Sequence, residues 1–120
     1  MQIRVYYEDT DCGGIVYHSQ YLNFCERARS EMFFSKNLSP HNQNEFFVVR
    51  KMECDFIKSA KLGDILNIKT DILEIKKASL TIKQAIYKDK ELLFEAKVLL
   101  AFLKDGKPSK IPHNLMDVFV

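Results

Sequence analysis

From residue 46 to residue 103 the chain is written almost entirely in a two-residue period, interrupted only by short polar turns. In FFVVRKMECDFIKSA, Met52, Cys54 and Phe56 alternate with Lys51, Glu53 and Asp55. ILNIKTDILEI sets Leu66, Ile68 and Ile72 against Asn67, Lys69 and Asp71. ASLTIKQAIY sets Leu80, Ile82 and Ile86 against Thr81 and Lys83. LLFEAKVLLAFL carries Leu92, Phe94, Ala96, Val98, Leu100 and Phe102 on one side. Successive side chains of a strand point to opposite faces, so each run predicts a strand with one apolar face. The joining turns, such as KLGD and KDKE, are too short for a crossover, so the strands are antiparallel neighbours. Their common apolar face then needs a second layer to cover it.

The N-terminal third supplies that layer. QIRVYY alternates Ile3, Val5 and Tyr7 against Arg4 and Tyr6 and predicts a first strand, and residues 8–18 form a loop. From about Ser19 to Lys36 the period changes to that of a helix, with Tyr21, Cys25, Ala28 and Met32 on one side. Glu26, Arg27, Arg29 and Glu31 occupy its other faces. Ser19 is the expected N-cap, and Pro40 with the run SPHNQN stops the helix. KDGKPSKIP is a polar exit from the last strand, and HNLMDVF predicts a closing helical turn. The expected fold is one α+β domain over residues 1–120: a curved five-stranded antiparallel sheet wrapped around one long central helix. Leu93, Leu99 and Leu103 place apolar residues on the second face of the last strand, which predicts cover by a second subunit.

Composition narrows the functional classes. A net charge of +2 with scattered lysines does not predict a nucleic-acid partner. Cys12, Cys25 and Cys54 are odd in number and form no CxxC, which argues against a disulfide scaffold. The N-terminal MQIRVYYEDTD has no apolar signal core, and VLLAFL is too short to span a bilayer. The expected location is the cytoplasm.

The most informative stretch is YEDTDCGGIVYHSQYLNFCERARSE, residues 7–31. It resembles the signature of the hotdog-fold acyl-CoA thioesterases of the 4-hydroxybenzoyl-CoA thioesterase family, and more narrowly those associated with the bacterial Tol–Pal system. The resemblance implies that Asp11, the second acid of DTD, is the catalytic carboxylate. It implies that Gly14 lets the chain turn into the helix, and that a backbone N–H at His18 holds the thioester carbonyl. It also implies homodimers or tetramers with the site at a subunit interface. Lys76 and Lys77, with Ser79 after them, fall where the family meets coenzyme A phosphates. Some hotdog enzymes use a helix carboxylate instead, which makes Glu26 the competitor of Asp11. Cys12 and Gly13 stand between Asp11 and Gly14, and nothing in the chemistry requires Cys at that position.

The chemistry is readable beside the resemblance. A thioester needs a carboxylate as nucleophile or as base for water, and donors for the developing oxyanion. A helix N-terminus offers unpaired N–H groups and partial positive charge. A carboxylate linked to such an end through glycines can fold back over it. No metal or cofactor is required, and Asp9, Asp11 and His18 do not match the usual zinc spacings. Asp9 is read as structural, bonding N–H groups of its own loop. Tyr17 is read as lining the acyl pocket, and His18 as a site residue whose role stays open. The leading expectation is hydrolysis of an acyl-CoA to free acid and CoA. The alternative is a non-catalytic module binding acyl-CoA or acyl carrier protein, docked to lipid-synthesis or envelope-associated proteins. A hotdog dehydratase is the third reading, and the DTD signature argues against it.

Overall fold

The computed structural model describes residues 1–119. Its strands are β1 (Gln2–Arg4), β2 (His41–Asn42), β3 (Glu45–Phe56), β4 (Ile65–Ile75), β5 (Ser79–Lys88), β6 (Glu91–Lys104) and β7 (Lys107–Pro108). Its helices are α1 (Gln20–Phe34) and the short α2 (His113–Met116). The strands form a single antiparallel sheet in the order β1-β4-β5-β6-β3-β2, with β7 folded back on β6. The sheet therefore has seven strands among the described residues, not five. The two additions, β2 and β7, are two-residue returns on the ends of β3 and β6, too short to leave a periodic signal.

One face of the sheet is the core. Phe94, Ala96, Val98, Leu100 and Phe102 of β6 are all buried, as are Leu80, Ile82 and Ile86 of β5. Helix α1 lies on this face through Tyr21, Phe24, Cys25, Ala28 and Phe33. Tyr21 stacks on Phe94 with ring centroids 5.2 Å apart. Bulges at Val49/Lys51, Ile72/Glu74 and Ile86/Tyr87 interrupt the register, and such bulges bend a strand. The run HNLMDVF forms the closing turn: after α2, a 3₁₀ turn at Asp117–Phe119 buries Val118 and Phe119.

Three local expectations are corrected. The first strand ends at Arg4, and Tyr7 is 82% exposed instead of inward-facing. The reason is Asp9, whose carboxylate takes the Tyr6 N–H at 2.8 Å and curls Tyr7–Asp9 into a 3₁₀ turn. Ser19 is helical and makes no side-chain cap bond, because the helical turn already starts with Gln20 N–H donating to the Tyr17 carbonyl. Leu93 is buried in the core of the single chain, since the bulge beside it lets Leu93 and Phe94 both turn inward. Leu99 and Leu103 stay on the outer face, half-buried.

Gln84 occupies an inward position of β5 that period-two reasoning reserves for an apolar residue, and it is fully buried. Its amide donates to the Cys25 carbonyl at 3.0 Å and the Thr70 hydroxyl at 3.1 Å, and its oxygen accepts from Arg29 at 2.8 Å. This bolts the middle of α1 to the sheet. Gln84→Leu keeps the volume but leaves those three partners unanswered. Buried polar groups left unpaired cost about 1–3 kcal/mol. Urea unfolding should show a lower midpoint at unchanged m. A midpoint equal to that of the parent chain would mean the bolt contributes nothing.

Candidate active site

The loop between β1 and α1 is held at both ends by backbone pairing with the segment before β4: at its start Val5 N–H donates to the Asp64 carbonyl at 2.9 Å and Gly63 N–H to the Val5 carbonyl at 2.9 Å. Val16 N–H donates to the Ala60 carbonyl at 2.9 Å, Ile15 bridges Lys61, and Leu62 N–H reaches the Gly14 carbonyl at 3.1 Å. Within the loop, Thr10 pairs with Val16, and Asp11 N–H donates to the Ile15 carbonyl at 3.0 Å. Closing so tight a turn requires Gly14 at φ +78°, a conformation that side chains with Cβ rarely adopt. Gly13 is constrained by proximity: a Cβ there would stand 3.2 Å from an Asp11 carboxylate oxygen.

Asp11 sits at the tip, exposed. One carboxylate oxygen accepts the Gly13 N–H at 2.8 Å. The other makes no hydrogen bond to the chain among the described residues. Asp11 lines a cavity of about 300 Å³ together with Val16, Tyr17, His18, Tyr21 and Phe56. His18 stands at the entrance to α1, and its N–H has no acceptor among the described residues. Its ring lies 4.4 Å from that of Tyr17 and edge-on to Phe56 at 6.3 Å. Tyr21 forms a buried wall. Burial raises its pKa, against the lowering effect of the Ala60 N–H bonded to its hydroxyl, so it stays a neutral phenol.

Asp9 is the buried acid of the pair, 3% exposed. One oxygen accepts Tyr6 N–H and the other accepts the Gln20 amide at 2.8 Å. Gln20 in turn accepts from Asn23 at 2.9 Å. The loop carrying Asp11 is thereby tied to the first turn of α1.

The structure brings Asp11, Tyr17 and His18 to one cavity, with Gly14 shaping the loop that carries it. It does not bring Lys76, Lys77 or Ser79 there. They lie at the β4–β5 turn, at the opposite end of β4 from the loop, where Lys76 is 3.6 Å from Glu74. Glu26 is outside the cavity as well and accepts from Ser30 at 2.8 Å. Sequence reasoning missed Phe56, Ile57, Lys58 and Ser59 as lining residues, because the run FIKSA carries only strand periodicity. It also missed Gln20, whose one available signal was a polar residue at the start of the helix.

The thioesterase superfamily model matches residues 13–95. The chain is similar to an acyl-CoA thioesterase YbgC of Helicobacter pylori, 54% identical over 70 residues, which is 58% of this chain and 53% of that protein. The chain thus spans about half the length of the curated relatives it matches. It is also similar to the crystal structure of a probable thioesterase from Bartonella henselae. That likeness has 38% identity and a TM-score of 0.87, covering 93% of this chain and 97% of the other. A 1,4-dihydroxy-2-naphthoyl-CoA thioesterase from Synechocystis shares the fold at 23% identity and TM-score 0.90, over 99% and 93% of the two chains.

The Asp9–Gln20 bond predicts a pH-dependent variant. Gln20→Glu sets a second carboxylate against Asp9, and the folded pair then holds a proton more tightly than the unfolded chain does. With the folded-state value raised, stability is greatest in acid and is lost as pH rises above the ordinary glutamate value of about 4.3. Thermal melts should show the variant near the parent chain at about pH 4 and at least about 1 kcal/mol weaker near neutrality. A constant difference across that range would mean that Gln20 does not engage Asp9.

Proposed function

The chain belongs to the thioesterase superfamily, and from that premise we propose that it is one hotdog thioesterase domain over residues 1–120 that hydrolyses acyl-CoA thioesters. The observation that carries this reading is the meeting of three things in one cavity: a carboxylate oxygen of Asp11 and the N–H of His18, neither with a partner among the described residues, and an apolar-aromatic wall. The relatives named acyl-CoA thioesterase support it.

In this reading the thioester carbonyl oxygen takes the His18 N–H, which strengthens its bond as negative charge develops there. One such donor is worth about 3 kcal/mol in the transition state. Asp11 either attacks the carbonyl carbon itself or takes a proton from water as the water oxygen attacks. The carbon–sulfur bond breaks, and the thiolate of CoA leaves with the electron pair and is protonated; where Asp11 is the nucleophile, the acyl group stays on it as a mixed anhydride, which water then hydrolyses to the free acid and the restored carboxylate. Tyr17 and Phe56 line the acyl side, and the His18 ring lies between them. Lys76, Lys77 and Ser79 enter the site only if a second copy of the chain presents them, so phosphate binding and oligomerisation belong to one reading.

A homo-oligomer has support of its own. β2 covers β3 only at Glu45 and Phe46, which leaves Phe47–Phe56 as an open edge among the described residues. An open, partly apolar edge is a template for another strand. Val49 and Phe56, 46% and 52% exposed, stand along it. No helix among the described residues is long and apolar enough to cross a membrane. We place the reaction in the cytoplasm, with acyl carrier protein or envelope-associated proteins, such as those of the Tol–Pal system, as the partner.

Asp11→Asn keeps the size of the side chain and removes its charge. Release of CoA thiol from purified protein should fall at least ~10²-fold in kcat, with KM much less affected and the melting temperature retained. Glu26→Gln should act mildly. Full turnover by Asp11→Asn with loss in Glu26→Gln would move the chemistry to the helix. Absence of turnover by the parent chain, with acyl-CoA still bound, would favour the non-catalytic module.

Replacing Lys76 and Lys77 with Ala should raise KM at nearly constant kcat, the mark of lost uniform binding. Sedimentation at micromolar concentration should show more than one copy. A monomer there, or an unchanged KM, would remove the lysines from the site.

A further inference from the structure

One wall of the Asp11 cavity carries a buried hydroxyl. Tyr21, 4% exposed, lies one helical turn from His18 and lines the cavity with it. Its ring stacks on Phe94 at 5.2 Å and meets Phe24 and Phe56 edge-on at 6.2 and 5.9 Å. Rings packed on three sides hold the phenol's C–O bond in one direction, so only the hydroxyl hydrogen is free to turn.

The Tyr21 oxygen accepts the Ala60 N–H at 3.0 Å. Its own O–H donates to no protein acceptor among the described residues. A phenol both accepts and donates, and a buried O–H without an acceptor is costly. The bond to Ala60 lies at the cavity. Ser59, next to Ala60, lines the cavity, and so does Val16, whose N–H donates to the Ala60 carbonyl. The cavity is therefore where the hydroxyl hydrogen finds its acceptor. The N–H arriving at the oxygen polarises the phenol and strengthens the bond it gives.

We propose that the Tyr21 O–H holds the attacking water against the carboxylate oxygen of Asp11 that bonds no protein donor. The inference rests on the thioesterase reading of this cavity and selects, of the two routes open to Asp11, direct attack by water. A water takes about 30 Å³, and a cavity of about 300 Å³ has room for one beside an acyl group. A bound water needs at least two polar partners, and Tyr21 and Asp11 supply them. In the step, the water oxygen accepts the Tyr21 O–H, gives a proton to Asp11 and bonds to the carbonyl carbon. The carbonyl oxygen becomes the oxyanion on the His18 N–H. The oxyanion then collapses, the carbon–sulfur bond breaks with its electron pair to sulfur, and the Asp11 proton passes to the thiolate. The free acid leaves, and the carboxylate is restored.

Tyr21→Phe keeps the ring stack and removes the hydroxyl. Its kcat should fall at least ~10-fold at nearly constant KM. The lost bond to Ala60 should also lower the melting temperature, so a second readout separates water-holding from structure. In aqueous methanol, Tyr21→Phe should raise the ratio of methyl ester to free acid, because water alone loses its hold. A displaced loop would slow both products alike. A single turnover of the parent chain in heavy-oxygen water should label the acid and leave Asp11 unlabelled. A high-resolution crystal structure of the parent chain should show an ordered water within hydrogen-bond reach of Tyr21 Oη and the Asp11 carboxylate. The proposal alone is overturned if the parent chain turns over and Asp11 takes the label, if Tyr21→Phe keeps its kcat or its ester-to-acid ratio, or if no water stands at Tyr21. A parent chain that holds the water but releases no CoA thiol overturns the hydrolytic reading, and the proposal with it.

Discussion

The site hangs on one buried carboxylate that does not face it. Asp9 is sealed under its own loop, and each of its oxygens holds a different piece of chain. One oxygen ends the first strand by capturing Tyr6 N–H, and the other reaches Gln20 at the head of α1. The Asp9 carbonyl also accepts Tyr17 N–H at 3.0 Å. A short polar crosslink of this kind fixes orientation, where apolar burial alone tolerates sliding. Asp11 can therefore sit exposed at a loop tip and still be held, because the strain of the turn is carried by Gly14 and its anchoring by Asp9.

Much of this was legible in the residues. The four long strands follow from alternation because one face of the sheet is buried, and burial on one face is what writes a period of two. Helix α1 was readable for the same reason at its own period. The pairing of Asp11 with the helix entrance was readable through DTDCGG, since glycines between an acid and a helix imply a fold-back. Other features left no periodic trace. Gln84 breaks the apolar pattern because its partners, Arg29, Cys25 and Thr70, come from two other elements. Leu93 was assigned outward because a bulge changes facing by one residue, and nothing local announces a bulge. Tyr7 was assigned inward because the captured N–H that curls the chain depends on a side chain beyond the run.

The groove between α1 and β3 is divided by chemistry along its length. Near the helix entrance it is lined by Tyr17, His18, Tyr21 and Phe56, beside an acid. Nearer the helix end it is lined by phenylalanines, beside a guanidinium. Between them lie Cys25 and Cys54. Burial pushes the Cys25 thiol up to about 12, and burial also raises Cys54. These thiols are neutral packing groups, and a thiolate nucleophile is not what the groove offers. Cys12, exposed beside Asp11, is the thiol within reach of reagents.

The anchoring of the loop has a bearing on how the chain acquires its shape during synthesis. The loop emerges before α1, yet the backbone partners that pin it from outside, Ala60, Lys61, Leu62, Gly63 and Asp64, are made after α1 and β3. β3 in turn waits for β6, and the amino group of Met1 waits for the Ile68 carbonyl. Contacts this distant in sequence slow folding, because closing the intervening chain costs entropy before any contact repays it. Asp11 and His18 are thus translated before the outside segment that fixes their loop. A nascent chain released short of β6 would contain every atom of Asp11 and His18 and still have no site.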